Sequence, residues 1–339
     1  MDAGQAKPVR GADGPKAGGR PRLPAWARQA AETANRLASS KVARTVVTLA
    51  VLAIAALLIR HQLQAARLGD VTRAIAATPP WALGLSIVCT LASYLCEGVV
   101  EWHALRFIGK PLPIGRALLA ACASSALSIA MGFGLASGTA ARLRFYAFAK
   151  LDAAAVAKVT ALVSGALFLA GLIALGLSGF GGAATIAALL HWPRWAVMLL
   201  SVLLLVAGPG WFIALRKWPG HEETALGPVA RSVTLAAAMG NWLFQGAAMF
   251  FLASHVLGHF PGFFAAYALA ALFGSAVGIP ADLGVLEAAI LGSHTLGSAH
   301  QAAAALVLYR VIFQIVPLGA ATAAMMLRPM AKAARKAVR

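Results

Sequence analysis

Apolar stretches long enough to cross a bilayer recur along the whole chain, and no other feature constrains its fold as strongly. A hydrocarbon core of about 30 Å takes about 20 helical residues. The runs 42–59, 81–101, 153–178, 194–215, 230–257 and 303–327 meet that length with soft edges. Two further apolar regions, 114–150 and 263–293, are long but interrupted near their centres. Lipid offers no partner to a backbone N–H or C=O, so segments that span it must satisfy their own hydrogen bonds as helices. The expected fold class is therefore all-α: a polytopic integral membrane protein with about six full transmembrane helices and two broken or re-entrant helical hairpins.

Composition agrees. Of 339 residues 60 % are hydrophobic and only 12 % charged, against roughly 25 % charged in soluble domains. Lys and Arg number 29 and Asp and Glu 11, a net charge of +18 that falls mostly outside the apolar runs. Such a pattern speaks of topology and anionic lipid. It excludes nucleic acid as a partner, because no soluble segment is long enough to build a basic binding face. With both tails cytoplasmic and both broken regions returning to the side they came from, 21 basic residues lie inside. Arg60, Arg67, Arg73 and Arg194 alone lie on the other side, the asymmetry of a positive-inside arrangement. The expected organisation is a basic cytoplasmic tail rich in Gly, Pro and Arg over 1–40, a membrane domain over 41–327, and a second basic cytoplasmic tail over 328–339.

The two broken regions share a skeleton. SIAMGFGLASGTAARLRFY carries Ser128, Gly132 and Gly138; SAVGIPADLGVLEAAI carries Ser275, Gly278, Pro280 and Gly284. In each, two glycines stand six apart after a serine-bearing apolar half, and ionisable residues follow. The charge-derived topology opens the first hairpin (114–150) to the cytoplasm and the second (263–293) to the opposite side, which makes an inverted-topology repeat. Paired Gly/Pro-interrupted segments in two halves point to a transport site. Two structures satisfy the pattern: discontinuous helices whose breaks face a shared interior, or short helices whose glycines are packing hinges.

Ionisable residues at membrane depth need a partner or a cavity. Arg142 and Arg144 follow the first break, Glu287 the second, and Arg310 lies inside the last apolar run. An interior Arg/Glu cluster is the expectation, acting either as a structural ion pair or, through a guanidinium fork, as a phosphate site. Glu97 and Glu101 share a helix face and are placed to neutralise Arg106 or Arg142, or to attract a cationic headgroup. Asp282 sits in the break itself, as a helix cap or as a contact for substrate or a proton.

Catalytic and metal constellations are missing from the pattern. Cys89, Cys96 and Cys122 stand singly in apolar runs and read as small core residues. The eight histidines have no acidic partner at metal spacing, and Walker, dinucleotide-binding and GxSxG motifs are absent. No enzyme activity, metal or cofactor is expected. Trp81, Trp102, Trp192 and Trp195 fall at run ends, where tryptophans anchor helices at the interface.

Three stretches together resemble the transmembrane region of the lysylphosphatidylglycerol synthase/flippase family, the multiple peptide resistance factors, and its stand-alone relatives of uncharacterised or hopanoid-associated type. GFGLASGTAARLRFY is similar to the family's glycine-rich segment ending in an Arg and an aromatic pair, here Arg142, Phe145 and Tyr146. GIPADLGVLEAAILG resembles its Pro-Gly-Gly segment followed by an acidic residue, here Pro280, Gly284 and Glu287. LVLYRVIFQIVPL resembles its Tyr-Arg pair followed by Pro, here Tyr309, Arg310 and Pro317. Ala281 and Asp282 depart from the family's glycine pair, and the soluble aminoacyltransferase domain is not expected in a chain ending in AKAARKAVR.

The resemblance implies a flippase-like domain in a bacterial-type inner membrane. It would move anionic or aminoacylated phospholipid, of phosphatidylglycerol or lysyl-phosphatidylglycerol type, or a related lipid. The expected headgroup contacts are Arg142, Arg144, Tyr146, Asp282, Glu287, Tyr309 and Arg310. The expected partners are membrane phospholipid and a separate lipid-modifying enzyme or a second copy of the chain. The alternatives are transport of a hopanoid or other lipid, and a non-transporting membrane partner that regulates a lipid-modifying enzyme.

Overall fold

The computed structural model describes residues 72, 74–76, 78–131, 134–146, 149, 151–216, 227–253, 260–278, 284–292 and 299–323. The expected tails at 1–40 and 328–339, the run 42–59, and the break residues Gly132, Pro280 and Asp282 lie outside the described residues. All regular structure among the described residues is helical: α1 (Pro80–Phe107), α2 (Ile114–Met131), α3 (Gly134–Tyr146), α4 (Ala153–Leu190), α5 (Arg194–Arg216), α6 (Pro228–Ala253), α7 (Phe260–Val277), α8 (Val285–Gly292) and α9 (Ala299–Tyr309). Beyond α9 the chain continues as a π-helical segment, Arg310–Ile315, and then as helix to residue 323.

Local chemistry starts and stops these helices. Pro80 and Pro228 stand at the first helical position of α1 and α6, where a missing N–H costs nothing. The Asp152 carboxylate caps α4 by accepting from the Ala155 N–H at 2.9 Å, and α4 ends on His191 in the left-handed conformation (φ 56°). At 38 residues α4 is much longer than the expected run of 153–178. Its extension is held by close backbone packing. A Cβ at Gly176 would stand 2.9 Å from the Ser201 carbonyl of α5, and one at Gly182 would stand 2.5 Å from the Ala265 Cβ of α7. At Gly182 the helix kinks (φ −114°, ψ 16°).

α1, α4, α6, α7 and Ala303–Ala323 are long and apolar enough to cross a membrane. Their outer surfaces are apolar as well: on α1, Leu85, Val88, Leu91 and Leu95 recur every three or four residues and are all exposed. So are Val202, Leu203 and Val206 of α5. A soluble monomer rarely carries an apolar skin of this extent, whereas lipid requires one. Exposed Trp81, Trp192 and Trp195 lie at helix ends, as interface anchors should. The chain is thus an all-α, multi-pass membrane protein.

Within the bundle α4 packs on α1, α3, α5, α6 and α7, and α6 packs on α1, α4, α7 and α9. Each interrupted region resolves into two helices that pack on one another, α2 with α3 and α7 with α8. α3, with 13 residues, and α8, with eight, are roughly 20 and 12 Å long and too short to span. α7, in contrast to the expected half-helix, is itself long enough to cross.

Candidate functional site

The interior polar residues begin on α1. Ser86, Thr90, Ser93, Glu97 and Glu101 repeat at three- and four-residue spacing, share one face, and are all buried. At the far end of this stripe Glu101 is fully enclosed (0 % exposed) and is met by α3. Arg142 donates Nε to both carboxylate oxygens, at 2.9 and 3.0 Å, and Nη2 to Oε2 at 2.7 Å. The Tyr146 hydroxyl, one turn on, donates to Oε1 at 2.6 Å.

Gly138 makes this approach possible. A Cβ there would sit 2.7 Å from the Ser128 Oγ of α2 and 3.1 Å from Arg142 Nη1. The expectation of a hinge at Gly138 is therefore corrected: it lies inside α3, and its lack of a side chain lets α2 and α3 close around the guanidinium.

The second glycine pair behaves differently. Gly278 (φ 78°) ends α7, donating its N–H to the Gly274 carbonyl at 2.9 Å, and Gly284 (φ 83°) precedes α8. Both positive φ values are costly for any residue with a Cβ. Gly138 thus serves close packing, whereas Gly278 and Gly284 reverse the backbone. At the start of α8 the Glu287 carboxylate reaches back to the Gly284 N–H at 2.7 Å, half of a capping box.

The other Glu287 oxygen is ion-paired with Arg310 Nη2, and the two side chains are 26 % and 20 % exposed. Arg310 Nε has no hydrogen-bond partner. The expected single Arg/Glu cluster is therefore two pairs: a sealed one, Arg142–Glu101, and a partly accessible one, Arg310–Glu287. Arg144 is half-buried on α3.

Arg310 opens the π-helical segment, and Pro317 explains part of that distortion. Having no N–H, Pro317 cannot complete an α-helical bond to the Phe313 carbonyl four residues earlier. That carbonyl takes the Tyr94 hydroxyl of α1 instead, at 3.0 Å, and the Val316 N–H bonds five residues back to Val311. Phe313 stacks between Tyr94 (5.4 Å) and Tyr309 (5.1 Å), so an aromatic wall lines this turn.

From Tyr309 a hydrogen-bond chain crosses the bundle. Its hydroxyl lies 2.8 Å from that of Tyr267, which donates to Gln245 Oε1 at 3.1 Å. Gln245 Nε2 donates to Asn241 Oδ1 at 2.8 Å, and Asn241 Nδ2 donates to the Ser93 carbonyl and Oγ. This chain borders a cavity of about 140 Å³, which Glu97, Ser125 and Gln314 also line. A lipid headgroup with its glycerol is larger than such a space, which suits a few waters or one small ion. Arg142 and Arg310 do not line it; Tyr309 and Leu286, which adjoin Arg310 and Glu287 in the chain, do.

Asn241, Gln245, Tyr267, Tyr94 and Gln314 were not singled out by the sequence. One signal could have found two of them: Asn241 and Gln245 stand four residues apart within an apolar run. His103 is likewise a structural polar contact, 3.0 Å from Thr234 Oγ1. Among the described residues no group of three metal-ligating side chains occurs.

Fold and interior together define a class: a multi-pass helical membrane protein with a polar, ion-paired centre. No protein-family model matches the sequence. Over 244 residues the chain is 27 % identical to an uncharacterized protein of Synechocystis sp., slr0712, a similarity covering 68 % of this chain and 74 % of that protein.

Proposed function

We propose that the protein is a phospholipid translocase of flippase type, moving anionic or aminoacylated phospholipid between leaflets, as its resemblance to the lysylphosphatidylglycerol synthase/flippase region implies. The observation that carries this proposal is the Arg310–Glu287 pair. It is partly exposed, joins the short helix α8 to the π-distorted turn, and leaves Arg310 Nε without a partner. A phosphate that displaces the Glu287 carboxylate would meet Arg310 Nη2 and the unpartnered Nε as a fork. Arg142 has a different part: its Nε and Nη2 are committed to Glu101, so it fixes α3 against α1.

In this proposal the helix pairs α2/α3 and α7/α8 are the arms of an inverted repeat, opening to opposite sides of a bacterial-type inner membrane with both termini cytoplasmic. Alternating exposure of the Arg310 site would carry the headgroup across while the acyl tails stay in lipid. The test is leaflet exchange of fluorescent phosphatidylglycerol in sealed vesicles. Exchange above that of empty vesicles supports translocation; equal rates overturn it in favour of a non-transporting membrane partner.

A further inference from the structure

Three charges meet beside the cavity: Glu97 and Glu101 of α1 and Arg142 of α3, all at most 3 % exposed. The charged groups acting on Glu97 are Arg142 and Glu101, and a hydrogen bond joins its carboxylate to Ser125 of α2. Glu101 already engages Arg142 through two nitrogens. With both carboxylates ionised, one guanidinium would leave an excess negative charge in a low-dielectric interior, which must be neutralised by a proton on Glu97 or by a bound cation.

The cavity supplies the place for compensation. No basic side chain is among the described residues lining it, and its amide donors are largely committed, since Gln245 and Asn241 donate along the chain toward Ser93. Oxygen-bearing side chains are among those that line it: the Glu97 carboxyl, the Tyr309 hydroxyl and the Gln314 amide with its Oε1. Gln314 is 3 % exposed and this oxygen has no hydrogen-bond partner. Ser86 Oγ and Thr90 Oγ1, also buried and unpartnered, continue the same stripe of α1, a track of oxygens about 16 Å long between residues 86 and 97.

We infer that this cavity is a binding site for a small monovalent cation, with the Glu97 carboxylate and the Gln314 amide oxygen as its principal ligands. Hard cations choose oxygen donors of this kind. The site is separate from the Arg310–Glu287 pair and does not depend on lipid translocation.

The test uses the full chain in detergent, without added phospholipid, at constant ionic strength with choline replacing sodium. Saturable binding of radioactive sodium is expected in the wild type. Glu97→Gln and Gln314→Leu should each weaken it about tenfold or more, a change of roughly 1.4 kcal/mol for each factor of ten. Because Glu97→Gln can disturb folding, the sodium-dependent rise in the wild-type unfolding temperature is measured alongside. Absence of saturable sodium binding in the wild type, as expected if a proton alone neutralises Glu97, overturns the inference. So does equal binding by wild type, Glu97→Gln and Gln314→Leu.

Discussion

Arg142 grips Glu101 through both Nε and Nη2, from 41 residues away in the chain, with both groups sealed from solvent. The pair fixes α3 against α1 inside the bundle. Removing one partner strands a buried charge, a loss of about 3–5 kcal/mol. Arg142→Met or Glu101→Leu alone should lower the thermal unfolding midpoint in detergent strongly. The double variant should recover part of that loss, because neither charge of the pair is left without the other, although the Tyr146 hydroxyl loses its acceptor. Additive losses in this double-mutant cycle would show that the two residues act independently.

Gly138 is predicted to tolerate no large side chain. With Ser128 Oγ only 2.7 Å from where a Cβ would stand, Gly138→Leu must push α2 from α3 and unseat the guanidinium, at a cost of about 1–3 kcal/mol. Gly138→Ala should be milder, since the Ser128 hydroxyl can rotate away. Unfolding midpoints of the two variants check the order.

The π-helical turn offers a third test. Tyr94→Phe removes the hydroxyl that serves the Phe313 carbonyl and should cost about 1–3 kcal/mol, the penalty for an unpaired buried acceptor. In a Pro317→Ala background the restored N–H can serve that carbonyl, so the same Tyr94→Phe change should cost less. An unchanged cost in both backgrounds would break the link between Pro317 and the Tyr94 contact.

Much of this architecture was legible in the sequence, and what was not has physical causes. Apolar runs located the helices because lipid leaves the backbone no other structure, and both interruptions did separate two packed helices. The matching glycine spacing misled at Gly138, since membrane helices use glycine either for positive φ or for close approach and spacing alone does not say which. That Glu101 could neutralise Arg142 was readable from its helix face, but its choice of Arg142 over Arg106 depends on how α2 and α3 fold back. Arg106 instead lies over the Trp102 ring, 4.6 Å from its centroid. The chain from Tyr309 to Ser93 joins four helices, a relation that no local pattern encodes.

Arg310 and Glu287 should separate function from stability. Exposed ion pairs contribute about 0–1 kcal/mol, and this pair is only partly covered, so Arg310→Ala should shift the unfolding midpoint far less than Arg142→Met. Comparable losses would mark Arg310 as a structural residue.

The most direct measurement is therefore leaflet exchange of fluorescent phosphatidylglycerol in sealed vesicles carrying equal amounts of folded wild type, Arg310→Ala or Glu287→Ala, beside empty vesicles. Rapid exchange is expected with wild type, and a fall toward the empty-vesicle rate in both variants. Wild-type exchange no faster than in empty vesicles, or undiminished exchange in both variants, would contradict it.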